Sequence, residues 1–241
     1  LIAGSLLMAV PVCALLGAGI ERLAYRPLRN APRLAPLITA IGVSIVLQNV
    51  AMMIWGRQYI PFPDILPHEP IHLGAATFLP VQGVIVGLSG VLMIGLLLLV
   101  HHTRLGRAMR ATAQAPSVAR LMGVSVDRVI ASTFVIGSVL AAVAGVMVTA
   151  NYGQAHAYMG FMLGLKAFSA AVLGGIGNLA GAVVGGLLLG LIESLGAGYI
   201  GDVTGGFLGS QYQDVFAFLV LILVLVFRPS GLLGERLADR P

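Results

Sequence analysis

RLGRAMRATAQAPSVARLMGVSVDR, Arg104 to Arg128, is the longest polar run between two apolar blocks of the chain, and it has the signals of an ordered element. Arg104, Arg107 and Arg110 recur at helical spacing, as a continuation of the preceding apolar segment would place them. Ala115-Pro116 then interrupts: proline disfavours helical geometry at the residue before it but suits the first position of a new helix. The pattern predicts a short helix from Pro116 to Met122, with Gly123 ending it in the left-handed conformation. Val118, Leu121 and Met122 share one face of that helix, with Ser117 and Arg120 elsewhere. At 1.5 Å per residue it is only about 10 Å long. Two turns are not stable alone in water, so neighbouring helices or a partner must hold them. The plain alternative is an ordinary loop between two membrane helices.

Outward from this stretch the chain is apolar. Hydrophobic residues make up 58% and charged residues 10%, where soluble domains carry about 25% charged residues. Several runs approach or exceed the roughly 20 apolar residues of a spanning helix. The expected fold class is an all-α, polytopic integral membrane protein. Leu1 to Ile20, containing Pro11 and closed by Glu21-Arg22, reads as the first span. It lacks the basic start of a signal peptide, and sequence ahead of Leu1 is expected. A short basic loop with Arg22, Arg26, Arg29 and Arg33 follows, then a span from Ala35 to Trp55. Gly56 to Pro80 is a proline-rich, acidic loop, and Val81 to Val100 spans again. Beyond the central stretch, Val129 to Ala150 recrosses and Asn151 to Met159 turns. Leu163 to Leu195 is a long Gly- and Ala-rich block, Gly196 to Asp214 a second loop, and Val215 to Phe227 a last apolar run.

The cations settle the expected orientation. The loop after the first span, the central stretch and the C-terminal tail hold four, five and three arginines, which leaves Arg57 and Lys166 elsewhere. The positive-inside rule puts those three segments in the cytoplasm. The C-terminal tail is therefore cytoplasmic, and Leu163–Leu195 must cross an even number of times or enter and leave on one side. GGIGN, Gly174 to Asn178, at its middle marks a broken element, either re-entrant or a pair of short helices. Such breaks occur at membrane depth only where protein or an aqueous cavity covers the free backbone. Gly177, Gly181 and Gly185 fall at four-residue spacing, which permits close helix contact. Gly174, Gly175, Gly177, Gly181 and Gly185 are candidates for a pathway lining or for helix packing. Ser44 and Gln48 share a face of the second span with Asn49 beside them, and they contact either a polar solute or another helix.

Enzyme signatures are absent. The single cysteine, Cys13, excludes an intramolecular disulfide or a cysteine metal cluster, and His68 and His72 in a proline-rich stretch make a poor metal pair. The only lysine, Lys166, sits in GFMLGLKAF, so no phosphate-binding P-loop exists. If ATP drives this protein, another chain binds it, with its magnesium. Intramembrane ionisable groups are few: Lys166 and Glu193 near the ends of the glycine-rich block, both read as snorkelling to an interface. The net charge of +5 follows topology and is no sign of a nucleic-acid partner. A helix, a break and a short helix in a protein with no energy source of its own fit groove docking on a neighbour. Arg107, Arg110 and Arg120 would meet a polar rim, and Leu121 or Met122 an apolar pocket.

These residues carry a resemblance. ERLAYRPLR (Glu21 to Arg29), APLITAIGVSIVLQN (Ala35 to Asn49), RAMRATAQAPSVARLMGVSVDRV (Arg107 to Val129), GLKAFSAAVLGGIGNLAGAVVGGLLLGLIE (Gly164 to Glu193) and FRPSGLLG (Phe227 to Gly234) run nearly the length of the chain in order. Together they resemble the inner-membrane permeases of branched-chain amino-acid ABC importers, the LivH/LivM type, and most of all the LivH-type subunit. The resemblance implies one helical permease domain over residues 1–241 in the bacterial inner membrane, with residues 101–128 as its cytoplasmic coupling loop. It also implies partners: a homologous permease subunit in a homo- or heterodimer, two cytoplasmic ATPase subunits, and a periplasmic solute-binding protein delivering leucine, isoleucine, valine or a related solute. Arg107, Arg110, Pro116, Val118, Arg120, Leu121, Met122 and Gly123 would then form the ATPase-coupling element. Two departures stand out. Ala115 replaces the acidic residue common before the coupling-loop proline, and the family's usual N-terminal spans are expected to lie ahead of Leu1. The competing reading is a stand-alone channel or secondary carrier for a small polar solute such as urea or an amide.

Overall fold

The computed structural model describes residues 2–29, 31–32, 35–63, 71–73, 76–175, 177–203, 212–228 and 230–234. Helices dominate them. In chain order these are α1 (Ile2–Ile20), α2 (Ala35–Trp55), α3 (Pro80–His102), α4 (Arg104–Gln114), α5 (Pro116–Leu121), α6 (Val126–Tyr152), α7 (Met159–Gly174), α8 (Leu179–Val203) and α9 (Gln213–Phe227). Among the described residues, five stretches are long and apolar enough to cross a membrane: Gly4–Leu28, Ile38–Trp55, Pro80–His102, Val126–Tyr152 and Leu179–Tyr199. Their outer faces keep Leu7, Leu15, Met53, Val86 and Leu98 exposed. In water each such side chain would forgo roughly 1.5–3 kcal/mol of burial; against lipid tails nothing is lost. The spans expected from sequence are all present, while His68 and the acidic residues Asp64 and Glu69 lie outside the described residues.

The chain divides into two compact units, Leu1–Gly160 and Phe161–Pro241. In the first, α6 is the central element, burying Val126, Val129, Ala142, Val143 and Met147. It lies antiparallel to α1: Gly17 meets Ser138 and the Phe134 carbonyl closely enough that a Cβ would overlap them, and Tyr25 packs on Phe134 with ring centroids 4.8 Å apart. The expected basic loop after α1 turns out to be largely helical. The chain winds on through a π-turn, Glu21–Tyr25, and a 3₁₀ turn, Arg26–Leu28. At the opposite end, β1 (Ile60–Pro61) pairs antiparallel with β4 (Gln154–Ala155), and β2 (Ile71–Leu73) with β3 (Ala76–Phe78). His156 lies between the rings of Tyr59 and Tyr158, with its Nε2 3.2 Å from the Arg57 carbonyl oxygen. It fastens the connection after α2 to the one after α6.

In the second unit, Leu163–Leu195 resolves into paired helices, α7 and α8, joined by a break at Gly175–Asn178. Leu173, Ala170 and Leu189 form its core, with Leu221, Val224 and Leu232 packed against them.

Candidate functional site

The polar stretch 104–128 is built as an elbow. Its first helix is not a continuation of the span before it. Thr103 is extended (φ −92°, ψ 161°), and its hydroxyl donates to the Leu99 carbonyl at 2.6 Å while accepting from the Gly106 amide at 3.0 Å. One side chain thus ends α3 and caps α4. Gly106 is required at this corner, because a Cβ there would fall on the carbonyls of Leu99 and Val100. Arg104, Arg107 and Arg110 are exposed along α4, while Gly106 and Thr112 are buried.

Ala115 then extends (φ −151°, ψ 91°) and Pro116 opens α5. The Gly123 amide donates to the Arg120 carbonyl and the Val124 amide to the Ala119 carbonyl, both at 3.0 Å, with Gly123 at φ +82°. This is a Schellman ending, in which the left-handed residue lets the last carbonyls find donors. Met122 stands just past the last helical residue instead of inside the helix. Ala119 faces inward at 4% exposure, while Val118, Leu121 and Met122 face out at 51, 87 and 81%. Ala115 offers no side chain to the free amides of α5. Ala115→Asp is therefore expected to stabilise the elbow by about 1 kcal/mol, read as slower amide exchange across residues 116–122.

An ion-pair cluster that sequence reasoning missed lies beside α5. Arg29 reaches both Glu21 and Asp127, and Asp127, in the first turn of α6, is also 3.6 Å from Arg26 and 3.9 Å from Arg120. Glu21 is buried at 4% exposure. The visible signal was a glutamate closing an apolar run within reach of arginines, and an aspartate at a helix start.

In the second unit, the glycines lie at a helix seam. Cβ atoms on Gly181 and Gly185 would run into the backbone of Gly174 and Ala170, so α7 and α8 touch main chain to main chain. Gly177 does not belong to that stripe: it sits in the turn before α8 with φ +96° and open space around it. Gly174 and Gly175 form the end of α7, where the segment after α9 closes over them. The Leu232 and Leu233 amides donate to the Leu173 and Gly174 carbonyls at 2.9 Å. Asn178 caps α8 by accepting from the Gly181 amide at 3.0 Å, and its Nδ2 donates to the Leu233 carbonyl at 2.9 Å. The last carbonyls of α7 are thereby satisfied.

Lys166 and Glu193 do not snorkel apart. Lys166 Nζ lies 3.1 Å from Glu193 and 2.8 Å from Asp214, joining α7, α8 and α9. These side chains keep 26, 19 and 32% exposure. Lys166→Met should thus cost roughly 2 kcal/mol, below the 3–5 of a fully buried pair. A thermal midpoint lowered in micelles and recovered by adding Glu193→Gln and Asp214→Asn is the expected result.

On α2, Gln48 donates to Ser44 at 3.3 Å and Asn49 to the Ile45 carbonyl at 2.8 Å, so these polar groups are satisfied within their own helix. An apolar groove of about 490 Å³ beside α1, lined by Leu15, Leu16, Ile20, Leu23 and Val43, has nothing to hold the charged ends of an amino acid.

Apolar spans carrying a capped, charged elbow define a polytopic helical membrane protein. Residues 1–225 match the model of the branched-chain amino acid transport system permease component, and the chain belongs to that family. It is 43% identical over 240 residues to the high-affinity branched-chain amino acid transport permease LivH of Salmonella typhimurium, covering 98% of this chain and 75% of that protein. It is 45% identical to BraD of Pseudomonas aeruginosa over 231 residues, 94% of this chain and 73% of the relative. The autoinducer 2 import permease LsrC of Photorhabdus luminescens is 27% identical over 81% of this chain and 57% of its own length. No solved structure matches the chain. The protein is a transport subunit and not an enzyme, and the importer reading prevails over a stand-alone channel or carrier.

Proposed function

We propose that this chain is the inner-membrane permease subunit of an importer for branched-chain or related amino acids, and that α5 is where it receives force. The observation that carries the reading is the exposure of Val118, Leu121 and Met122 on a two-turn helix opened by Pro116 and closed by the Schellman ending at Gly123. Side chains so exposed and so rigidly presented match an apolar knob for a groove on an ATPase subunit. Arg107, Arg110 and Arg120, all exposed, would supply the rim. Two such ATPases would bind ATP and magnesium, since this chain has no P-loop. A homologous permease subunit, as homo- or heterodimer, would complete the pathway, and a periplasmic binding protein would deliver the solute. The seam glycines and the Ser44–Gln48–Asn49 strip remain candidates for that pathway or for helix contact.

The elbow and the basic segment after α1 share one end of the first unit through the Arg29–Asp127 pair, and the positive-inside rule favours the cytoplasm for that end and for the tail beyond Arg228. With Cys13 replaced, a cysteine at Ser117 should react with an impermeant thiol reagent only from the cytoplasmic side. Labelling from outside would overturn the orientation. Proteoliposomes holding the permeases, ATPases and binding protein should take up leucine only with ATP; uptake by this chain alone without ATP would overturn the function.

A further inference from the structure

We infer that the chain of charges Glu21–Arg29–Asp127, flanked by Arg26 and Arg120, is the linkage by which displacement of α5 reaches the π-turn of α1. Arg29 and Asp127 are then positioning residues for transport; the inference rests on α5 being the ATPase-docking helix.

Three observations carry it. First, Asp127 stands a few residues beyond the Schellman ending of α5, and Arg120 of α5 lies 3.9 Å from its carboxylate. Movement of α5 therefore reaches the first turn of α6, where Asp127 stands. Second, Arg29 holds Asp127 with one guanidinium nitrogen and Glu21 with the other. Glu21 is buried, so separating it from Arg29 would strand a carboxylate away from water, a far larger penalty than moving both together. Glu21 and Arg29 therefore shift as one body, and the second guanidinium nitrogen couples the half-exposed Asp127 to them through a charge-assisted hydrogen bond. Third, Glu21 opens the π-turn, with its carbonyl accepting from the Arg26 amide five residues on. A π-turn is a one-residue insertion in a helix, uncommon and concentrated where function needs a local change of register. Upstream, α1 is pinned to α6 where Gly17 meets Ser138. A pull arriving through Arg29 is thus absorbed between Glu21 and Tyr25 and re-aims the end of α1, leaving its body in place.

The test uses the assembled transporter in proteoliposomes and compares wild type with Asp127→Asn, Arg29→Met and Asp127→Glu. Bound ATPase, ATP hydrolysis and solute moved per ATP are all measured. Asp127→Asn and Arg29→Met should keep ATPase bound and hydrolysis within twofold of wild type, while solute moved per ATP falls at least tenfold. Asp127→Glu should recover most of that ratio. An unchanged ratio overturns the linkage, and so does a loss of transport and hydrolysis in equal proportion, which marks a structural role only. Amide exchange across Glu21–Tyr25 is read separately on the permease without ATPases. It should rise about tenfold in Asp127→Asn and stay unchanged in Leu121→Glu, and no rise in Asp127→Asn overturns the linkage. Failure of the ATPases to bind wild type would instead overturn the proposed function, and wild-type ATPase binding by Leu121→Glu with Met122→Glu would overturn the docking role of α5.

Discussion

Leu121→Glu with Met122→Glu should abolish association with the ATPase subunits while leaving the permease folded. Both side chains project freely, at 87 and 81% exposure, so carboxylates there cost the isolated chain little, within about 0.5 kcal/mol each. In a docked groove the same change removes two apolar anchors and pushes two charges into a pocket. Anchors of this kind contribute about 2 kcal/mol or more apiece. Losing both weakens binding by roughly a thousandfold, at about 1.4 kcal/mol per factor of ten. Co-purification of the ATPases measures the first effect, and an unchanged thermal midpoint shows that folding is intact. Val118→Glu, at a half-exposed site, should give a smaller loss. Wild-type levels of bound ATPase in the double variant would remove α5 from the interface.

Gly185→Val is the second large effect, and it acts on stability. A Cβ at Gly185 would overlap the Ala170 carbonyl and come within 2.7 Å of the Gly174 amide nitrogen. Both are backbone atoms and cannot rotate aside, so α7 and α8 must part. Helices in lipid are held by close packing and interhelical hydrogen bonds, without a hydrophobic drive, so packing given up at this seam is not regained elsewhere. The cost should be about 3 kcal/mol, seen as a lowered thermal midpoint and faster unfolding in detergent. Gly190 supplies the contrast. It lies further along α8, and a Cβ on it would meet nothing within 4 Å, so Gly190→Ala should be neutral or slightly stabilising. Equal midpoints for Gly185→Val and wild type would mean that the seam does not hold the two helices together.

What the sequence disclosed follows the reach of each signal. Spans are local and composition-driven, so α2 emerges at its expected limits and α3 and α6 within a few residues. The elbow was legible for the same reason: Pro116 and Gly123 act on the backbone of their own turn, and they bracket α5 as expected. The break at Thr103 escapes a reading that weighs arginine spacing above a cap residue lying between two helical patterns. Contacts formed at a distance were out of reach. Nothing near Glu21 announces Asp127, nothing near Lys166 announces Asp214, and the partnership of GGIGN with FRPSGLLG depends on where α9 delivers the chain. Gly177 shows the limit of periodicity: four-residue spacing counts it into a helix face, while its positive φ puts it in a turn.

The clasp of Leu232 and Leu233 on the end of α7 has a consequence for how the protein is made. The carbonyls of Leu173 and Gly174 are answered by amides synthesised far downstream, after the whole of α8 and α9. Until then α7 enters the bilayer with its C-terminal end open, so a nascent chain arrested before Gly231 would carry an unfinished hairpin. Membrane quality control should recognise such a chain, and synthesis through Leu233, beyond mere insertion of α9, is what seals this unit.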